Sequence, residues 1–562
     1  QIKELQYSYL NDVLSQEPGI NIVQSGSVGQ QSTVFIRGMN SNHVVVRVDG
    51  MRVNEPDSST GSFNFADLST AGLAFVEIIR GAASSLYGAD AVGGVINMSS
   101  QKAGESFKAN ARTEVGSILS ERLEGGISGK VRNINMALTA SVFHTSGLVA
   151  TPDYLRISGG NYPRLPYTVK NFAFRGGSKI SDQTEVTLFS RMNEACLYYQ
   201  ERLDSAPQLR RQILNRIQVD HAFNANWRHQ VGIGILSTAY TNAKDMPSFS
   251  QSRGQRIAFD WRQNIQMHPG YQLEPVLEME QEEFHARFKS ILSGEKQRQV
   301  GLALLQRWML VKGLTAELAM RQDWSNKFYN PFCYRAGVKW QVPGAKTELF
   351  TSYGTAFKAP TLFQLFGKTS VSAGNPDLQP EQVKSYELGA RQPLTPFLNA
   401  TVIYFHNNLS QLIDYDLILK KNMNIDRATT KGIESILAFL LTQHMRLELN
   451  YTFLLACNEV TGQTLKRRPK HKAFLRASYN AEPIHFFAEW AWVGKRLDVH
   501  PHTFQVITNK SYNQLTSKAD YHIRHDWVLY ARIENVFNKE IEEPAGYLQA
   551  RMVGYVGIRT HF

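Results

Sequence analysis

Two patterns of apolar and polar positions divide this chain. In residues 104–562, short segments alternate strictly. In INMALTASV, Ile134, Met136, Leu138, Ala140 and Val142 share one side of an extended chain, opposite Asn135, Thr139 and Ser141. In RLELNYTF, Leu447, Leu449, Tyr451 and Phe453 oppose Glu448, Asn450 and Thr452. The final MVGYVGIRTHF sets Met552, Val556, Ile558 and Phe562 against Tyr555, Arg559 and His561. Successive side chains of a strand point to opposite faces, so each segment reads as a strand with one apolar and one polar face. A two-sheet sandwich has the same period. Three features favour a closed barrel in lipid. No second break in the pattern splits the region, its polar faces carry charged and amide groups suited to a wet lumen, and aromatics recur near segment ends. A tilted spanning strand needs ~9–11 residues. With turns that is roughly 20 per strand and about 22 antiparallel strands, a size class whose lumen is filled.

Residues 1–103 follow other rules. LQYSYLNDVLSQEPG has Leu5, Leu10, Val13 and Leu14 at helical spacing and ends at Pro18-Gly19. TVFIRG and HVVVRVDG are β-runs closed by glycine, and VEIIRGAASSLYGADAVGGVINM sets a chain of small residues between two more. Small residues let backbone approach backbone closely. The expected architecture is an all-β transmembrane barrel, residues 104–562, with an N-terminal α/β plug, residues 1–103, inside its lumen.

Composition narrows the function. A chain of 562 residues exceeds one ordinary soluble core, and 43% hydrophobic with 20% charged residues excludes disorder. The longest apolar runs, such as residues 436–441, fall far short of the ~20 needed by a membrane-spanning helix. The formal charge of +12 is scattered; its one dense cluster, LKRRPKHK at 465–472, reads as a solvated loop or a lipid-headgroup contact, so no nucleic-acid partner is expected. Cys196, Cys333 and Cys457 have no metal-type spacing and read as isolated thiols. His500 and His502, flanking a proline, read as a loop rather than a metal site. GADAVGG lacks the βαβ unit and downstream acid of a dinucleotide site, and neither a nucleophile–base–orienter set nor a GxSxG elbow is present. No enzyme activity is expected. No signal peptide is visible, since Gln1 opens directly on IKELQYSYLNDVL, and the true start is expected to have been removed.

VFIRGMNSNHVVVRVDGMRVN, together with the VEIIRG stretch, resembles the plug of TonB-dependent outer-membrane receptors. SYGTAFKAPTLFQLFG, GNPDLQPEQVKSYELG and IENVFNKE resemble the barrel of the same family. Within it the likeness is greatest to the cobalamin receptor, through LNDVLSQEPGINIVQSG, SLYGADAVGGVIN, YGTAFKAPTLFQLFG and NNLSQLIDYD. The resemblance implies a transporter in the outer membrane of a Gram-negative bacterium, bringing a scarce solute into the periplasm. Cobalamin or a related corrinoid is the expected cargo and a ferric siderophore the alternative; a structural or adhesive barrel is more remote. It also implies that Arg37 and Arg80 latch the plug onto wall glutamates Glu387 and Glu434, with Glu381 a further candidate.

Residues 54–69, NEPDSSTGSFNFADLS, form the long polar segment best suited to touch ligand. The resemblance matches Asn54 and Ser84 to plug positions that touch ligand, with Asp57, Ser58 and Ser59 near the former. Energy is expected from a TonB–ExbB–ExbD complex acting on an N-terminal box. No such box stands before Gln1, so this chain is expected to bind without transporting. PYTVKNFAFRGG and TNAKDMPSFSQSRGQ hold one acidic residue between them, Asp245, so no calcium site is expected. No histidine occurs in residues 361–374, which in this family argues against haem. The short loops imply that the plug holds most of the ligand or that a surface lipoprotein closes over it.

Overall fold

The computed structural model describes residues 5–201, 204–242, 250–370, 372–416 and 419–562. Among them, 22 antiparallel strands form one closed barrel, from Lys108–Gly116 to Val553–His561. The ring closes where the last strand pairs with the first, Ile558 opposite Thr113. Closure follows from the solvent: lipid offers no hydrogen-bond partner, so a spanning sheet cannot keep an open edge.

The alternation resolves as predicted. Along Ile134–Thr145, Ile134 and Ala140 are exposed on the outer face while Ala137, Ser141 and Phe143 are buried inside. Asn450 and Thr452 face the lumen. Tyr555 is buried and its neighbour Val556 is exposed. The two rims differ. One has two-residue turns, as between Ser181 and Thr184, Ala481 and Ile484, and Arg524 and Trp527. Exposed Trp227, Trp527, Tyr479 and Phe486 lie near that rim as an interfacial girdle. The other carries the long connectors 146–166, 359–380 and 494–511. Short turns face the periplasm in such barrels and long loops the exterior, which orients the molecule.

Inside lies a four-stranded sheet in the order Met51–Arg52, Val44–Val48, Gly94–Ser100, Leu73–Arg80. Its central pair is parallel, Val45 opposite Val95, and its flanking pairs are antiparallel. A hairpin, Ile20–Gln24 with Ser32–Ile36, and the short helices Leu10–Leu14 and Ser84–Tyr87 complete the inner domain. Residues 101–107 lead from its last strand to the first wall strand.

The first helix is shorter than its apolar spacing predicts: Leu5 lies outside it. The wall competes for that backbone, since the Leu5 carbonyl accepts from Lys518 Nζ at 2.9 Å and the Gln6 carbonyl from Arg532 at 3.0 Å. The inner core is shared with the wall: Val46, Val48, Ile96 and Phe65 pack in one cluster with wall residues Leu214, Leu236 and Ala258. The filling is thus docked over apolar as well as polar surface.

Candidate functional site

Two regions carry chemistry: the seam between inner domain and wall, and a cavity above it. At the seam, Arg37 follows the strand Ser32–Ile36 with φ 50°, a left-handed conformation costing ~1–2 kcal/mol for a residue with a Cβ. Wall carboxylates hold it there. Its Nη1 lies 2.5 Å from Glu387 Oε2, and its Nε and Nη2 reach the two oxygens of Glu434 at 2.9 and 3.0 Å. This is the bidentate fork that only arginine provides. Burial alone would lower the Arg37 pKa, but Glu434 and Glu387 outweigh it and the net shift is upward. Gly19 packs beneath the same carboxylate with φ +73°; a Cβ there would stand 2.0 Å from Glu434 Oε1.

Arg80 departs from expectation. Among the described residues it meets no wall glutamate; its Nη2 pairs at 2.7 Å with Glu17 of the inner domain itself. Arg80 ends an edge strand of the inner sheet, and Glu17, just beyond the first helix, comes within reach of its guanidinium first. Glu381 also has a different partner: its Oε2 lies 2.7 Å from His43 Nε2, both residues fully buried.

The basic segment 465–472 is divided: Lys466 and Lys470 are exposed, whereas Arg468 and Lys472 turn onto the inner domain. Arg468 donates to the Gly38 carbonyl and stacks over Phe35 at 4.3 Å, while Lys472 Nζ donates at 2.7 Å to the carbonyls of Ser15 and Ile20. Helix ends and tight turns leave buried carbonyls that need donors, and these cations supply them.

The small-residue stretch docks on the FKAP segment of the wall. The Asp90 amide donates to the Phe357 carbonyl at 2.9 Å, and Asp90 Oδ1 accepts from the Ala359 amide at 3.0 Å. Ser84 is buried in this contact, accepting from the Phe357 amide at 3.3 Å. Gly88, at φ +77°, lies where a Cβ would come within 2.9 Å of Arg321.

Above the seam, at the end with long connectors, a cavity of about 960 Å³ opens between residues 55–68, the wall and connector 146–166. Asp57, Ser58 and Ser59 line it, as expected. Asn54 does not: it is buried beneath the loop, its Oδ1 accepting from the Val46 amide and its Nδ2 donating to the Val44 carbonyl, each at 2.9 Å. It ties the loop to the inner sheet.

Asp57 accepts from Thr238 and Ser252 of the wall, both at 2.6 Å. Asp67 accepts from Arg210 and from the Tyr167 hydroxyl, both at 2.8 Å. Glu55, half-buried, is pushed up to about 8 by burial and then by Asp57. Gln208, Tyr199 and Tyr240 add amide and aromatic groups to the lining, and Arg211, Arg287 and Lys368 add positive charge. With Asp67 paired to Arg210 and Glu55 protonated near neutral pH, the lining combines hydrogen-bonding and aromatic groups with these cations.

Glu55 and Asp67 lie within the segment singled out from sequence, whereas Arg210, Gln208 and Tyr240 sit on strands whose inward face only the register reveals. His502 lies at the cavity rim, and His500 Nδ1 accepts from the amides of His502 and Thr503, capping a turn. Asp245 lies outside the described residues.

Residues 132–536 match the family model described as TonB dependent receptor-like, beta-barrel, and residues 1–95 match that of the TonB-dependent Receptor Plug Domain. Among solved structures, the chain is similar to the siderophore receptor PirA from Acinetobacter baumannii, at 15% identity and a TM-score of 0.88, covering 100% of this chain and 97% of that one. A mutant of the ferric enterobactin receptor PfeA from Pseudomonas aeruginosa, in complex with enterobactin, matches at 16% identity and a TM-score of 0.84, covering 99% and 97%. The ferripyoverdine receptor of the same organism, bound to ferripyoverdine, matches at 15% identity and a TM-score of 0.82, covering 100% and 85%. At these identities the likeness establishes the fold.

Proposed function

Because this chain belongs to the TonB-dependent receptors and lies in the outer membrane of a Gram-negative bacterium, we propose that it imports a ferric siderophore into the periplasm. Family membership brings a small-molecule ligand and TonB-dependent energy coupling. The observation that carries the cargo reading is the exterior cavity of about 960 Å³, shared between the inner domain's loop and the wall. It falls in the size range of small-molecule sites, ~300–1,000 Å³. The similar solved structures named above are receptors for siderophores, which favours the iron-chelate alternative over the corrinoid read from motif likeness.

The lining offers hydroxyl, amide and aromatic groups together with the cations Arg211, Arg287 and Lys368, donors suited to the oxygen atoms of a ferric chelate. Ligand oxygens compete with Asp57 for the hydroxyls of Thr238 and Ser252, loosening the loop from the wall. Asn54 then passes that change to the strand Val44–Val48. Blocking the cavity tests the site: Ser58→Trp is expected to weaken ferric-chelate binding at least tenfold while leaving the barrel folded. Unchanged affinity in that variant would contradict the placement.

A further inference from the structure

At the opposite, periplasmic mouth of the barrel stands a cluster that ligand binding does not use: Glu482, His485 and His522. We propose that these three side chains bind a divalent transition-metal ion of the kind imidazole favours, with Zn²⁺ as the type case.

The cluster is held in place by backbone pairing. Glu482 lies in the turn between the strands His471–Ala481 and Ile484–Val493, His485 is the second residue of the latter strand, and His522 lies on the neighbouring strand Tyr512–Arg524. The His522 amide donates to the Pro483 carbonyl at 2.8 Å, fixing the turn against that strand. His485 is opposite Asp520 in the register, on the same inward face as buried Glu489 and Phe487.

Glu482 Oε2 lies 3.3 Å from His522 Nδ1, and its Oε1 lies 3.7 Å from His485 Nε2. The imidazole centroids are 4.5 Å apart, and all three ligand atoms fall within 4.8 Å of one another. A tetrahedral ion with bonds of ~2.0–2.2 Å sets its ligands about 3–4 Å apart, so small side-chain adjustments close the site and leave a fourth position for water. The nitrogen of His522 that faces Glu482 is Nδ1; its Nε2, on the other side of the ring, is buried without a hydrogen-bond partner among the described residues. Two rings this close to one carboxylate have little to do for each other as neutral groups, whereas a shared cation gives each a use.

The position gives the site a consequence. Two residues from His522, Asp520 accepts from the Gln6 side chain at 2.6 Å, and Lys518 of the same strand holds the Leu5 carbonyl. A metal joining turn and strand stiffens the wall where the first described residues of the inner domain rest. A second histidine–carboxylate group on the same rim, His525, Asp526 and His561, is exposed in all three members and serves as an internal comparison.

The test uses metal-stripped, untagged full chain in detergent, titrated with Co²⁺ and then displaced by Zn²⁺. One Co²⁺ per chain is expected, with visible bands of nitrogen-bearing low coordination that Zn²⁺ bleaches. H485A and H522A should each weaken binding at least tenfold, E482Q less, and H525A with H561A should leave it unchanged. Far-UV circular dichroism and heat-modifiable gel migration confirm that each variant keeps its barrel, and E482Q, on the exposed turn, keeps the test open if a histidine variant misfolds. Absence of bound Co²⁺, or binding that survives the H485A/H522A double substitution or all of E482Q, H485A and H522A, would overturn the proposal.

Discussion

Arg37 and Arg80 occupy equivalent-looking motifs, IRG in both cases, and the structure gives them different roles. Arg37 is fully buried against Glu434 and Glu387; Arg80 pairs with the partly exposed Glu17. Removing one partner from a buried ion pair strands a charge at a cost of ~3–5 kcal/mol, whereas solvent-accessible pairs contribute ~0–1 kcal/mol. Arg37→Ala is therefore expected to destabilise the inner domain by several kcal/mol and Arg80→Ala by about 1 or less, read by hydrogen exchange of residues 32–48. Equal effects would contradict this assignment. Gly19→Ala should resemble Arg37→Ala, because its Cβ would collide with Glu434 Oε1 and its φ is +73°; thermal unfolding of the variant checks this. The motifs were legible in the sequence, but not that Arg80 would meet Glu17 rather than a wall carboxylate. That depends on which group the fold brings nearest, and Glu17 is as good a partner chemically as Glu387.

The strands were legible as elements because lipid imposes a strict rule of one apolar face, and period-two alternation records it directly. The short first helix was not, since wall donors competing for residues 5 and 6 leave no local signal. Segment 54–69 was legible as a polar loop, yet its residues divide: Asp57, Ser58 and Ser59 face the cavity, and Asn54 spends its amide on the sheet beneath.

Glu55 offers a test of the loop's electrostatics. Its carboxyl rises from 4.5 to about 8, so burial favours the neutral form. The stability associated with that proton is present below about pH 4.5 and is lost as pH rises towards 8. Glu55→Gln should accordingly gain thermal midpoint relative to the parent as pH rises through this window. A difference between the two that stays constant from pH 4 to 9 would show that Glu55 titrates normally.

For the whole molecule, a closed wall and a filling docked through buried arginines and lysines bound an exterior cavity, and a ligand held there would touch both. Barrel and filling were readable from alternation and motif order alone. Cargo was not, because the lining is assembled from strands far apart in sequence, where Gln208, Tyr240 and Ser252 carry no motif and meet only through register. The most direct measurement is calorimetric titration of the detergent-purified protein with an uncharged ferric hydroxamate, an anionic ferric catecholate and cyanocobalamin. The account predicts saturable binding of a ferric chelate and none of cyanocobalamin. Binding of cyanocobalamin with silence from both iron chelates would contradict it.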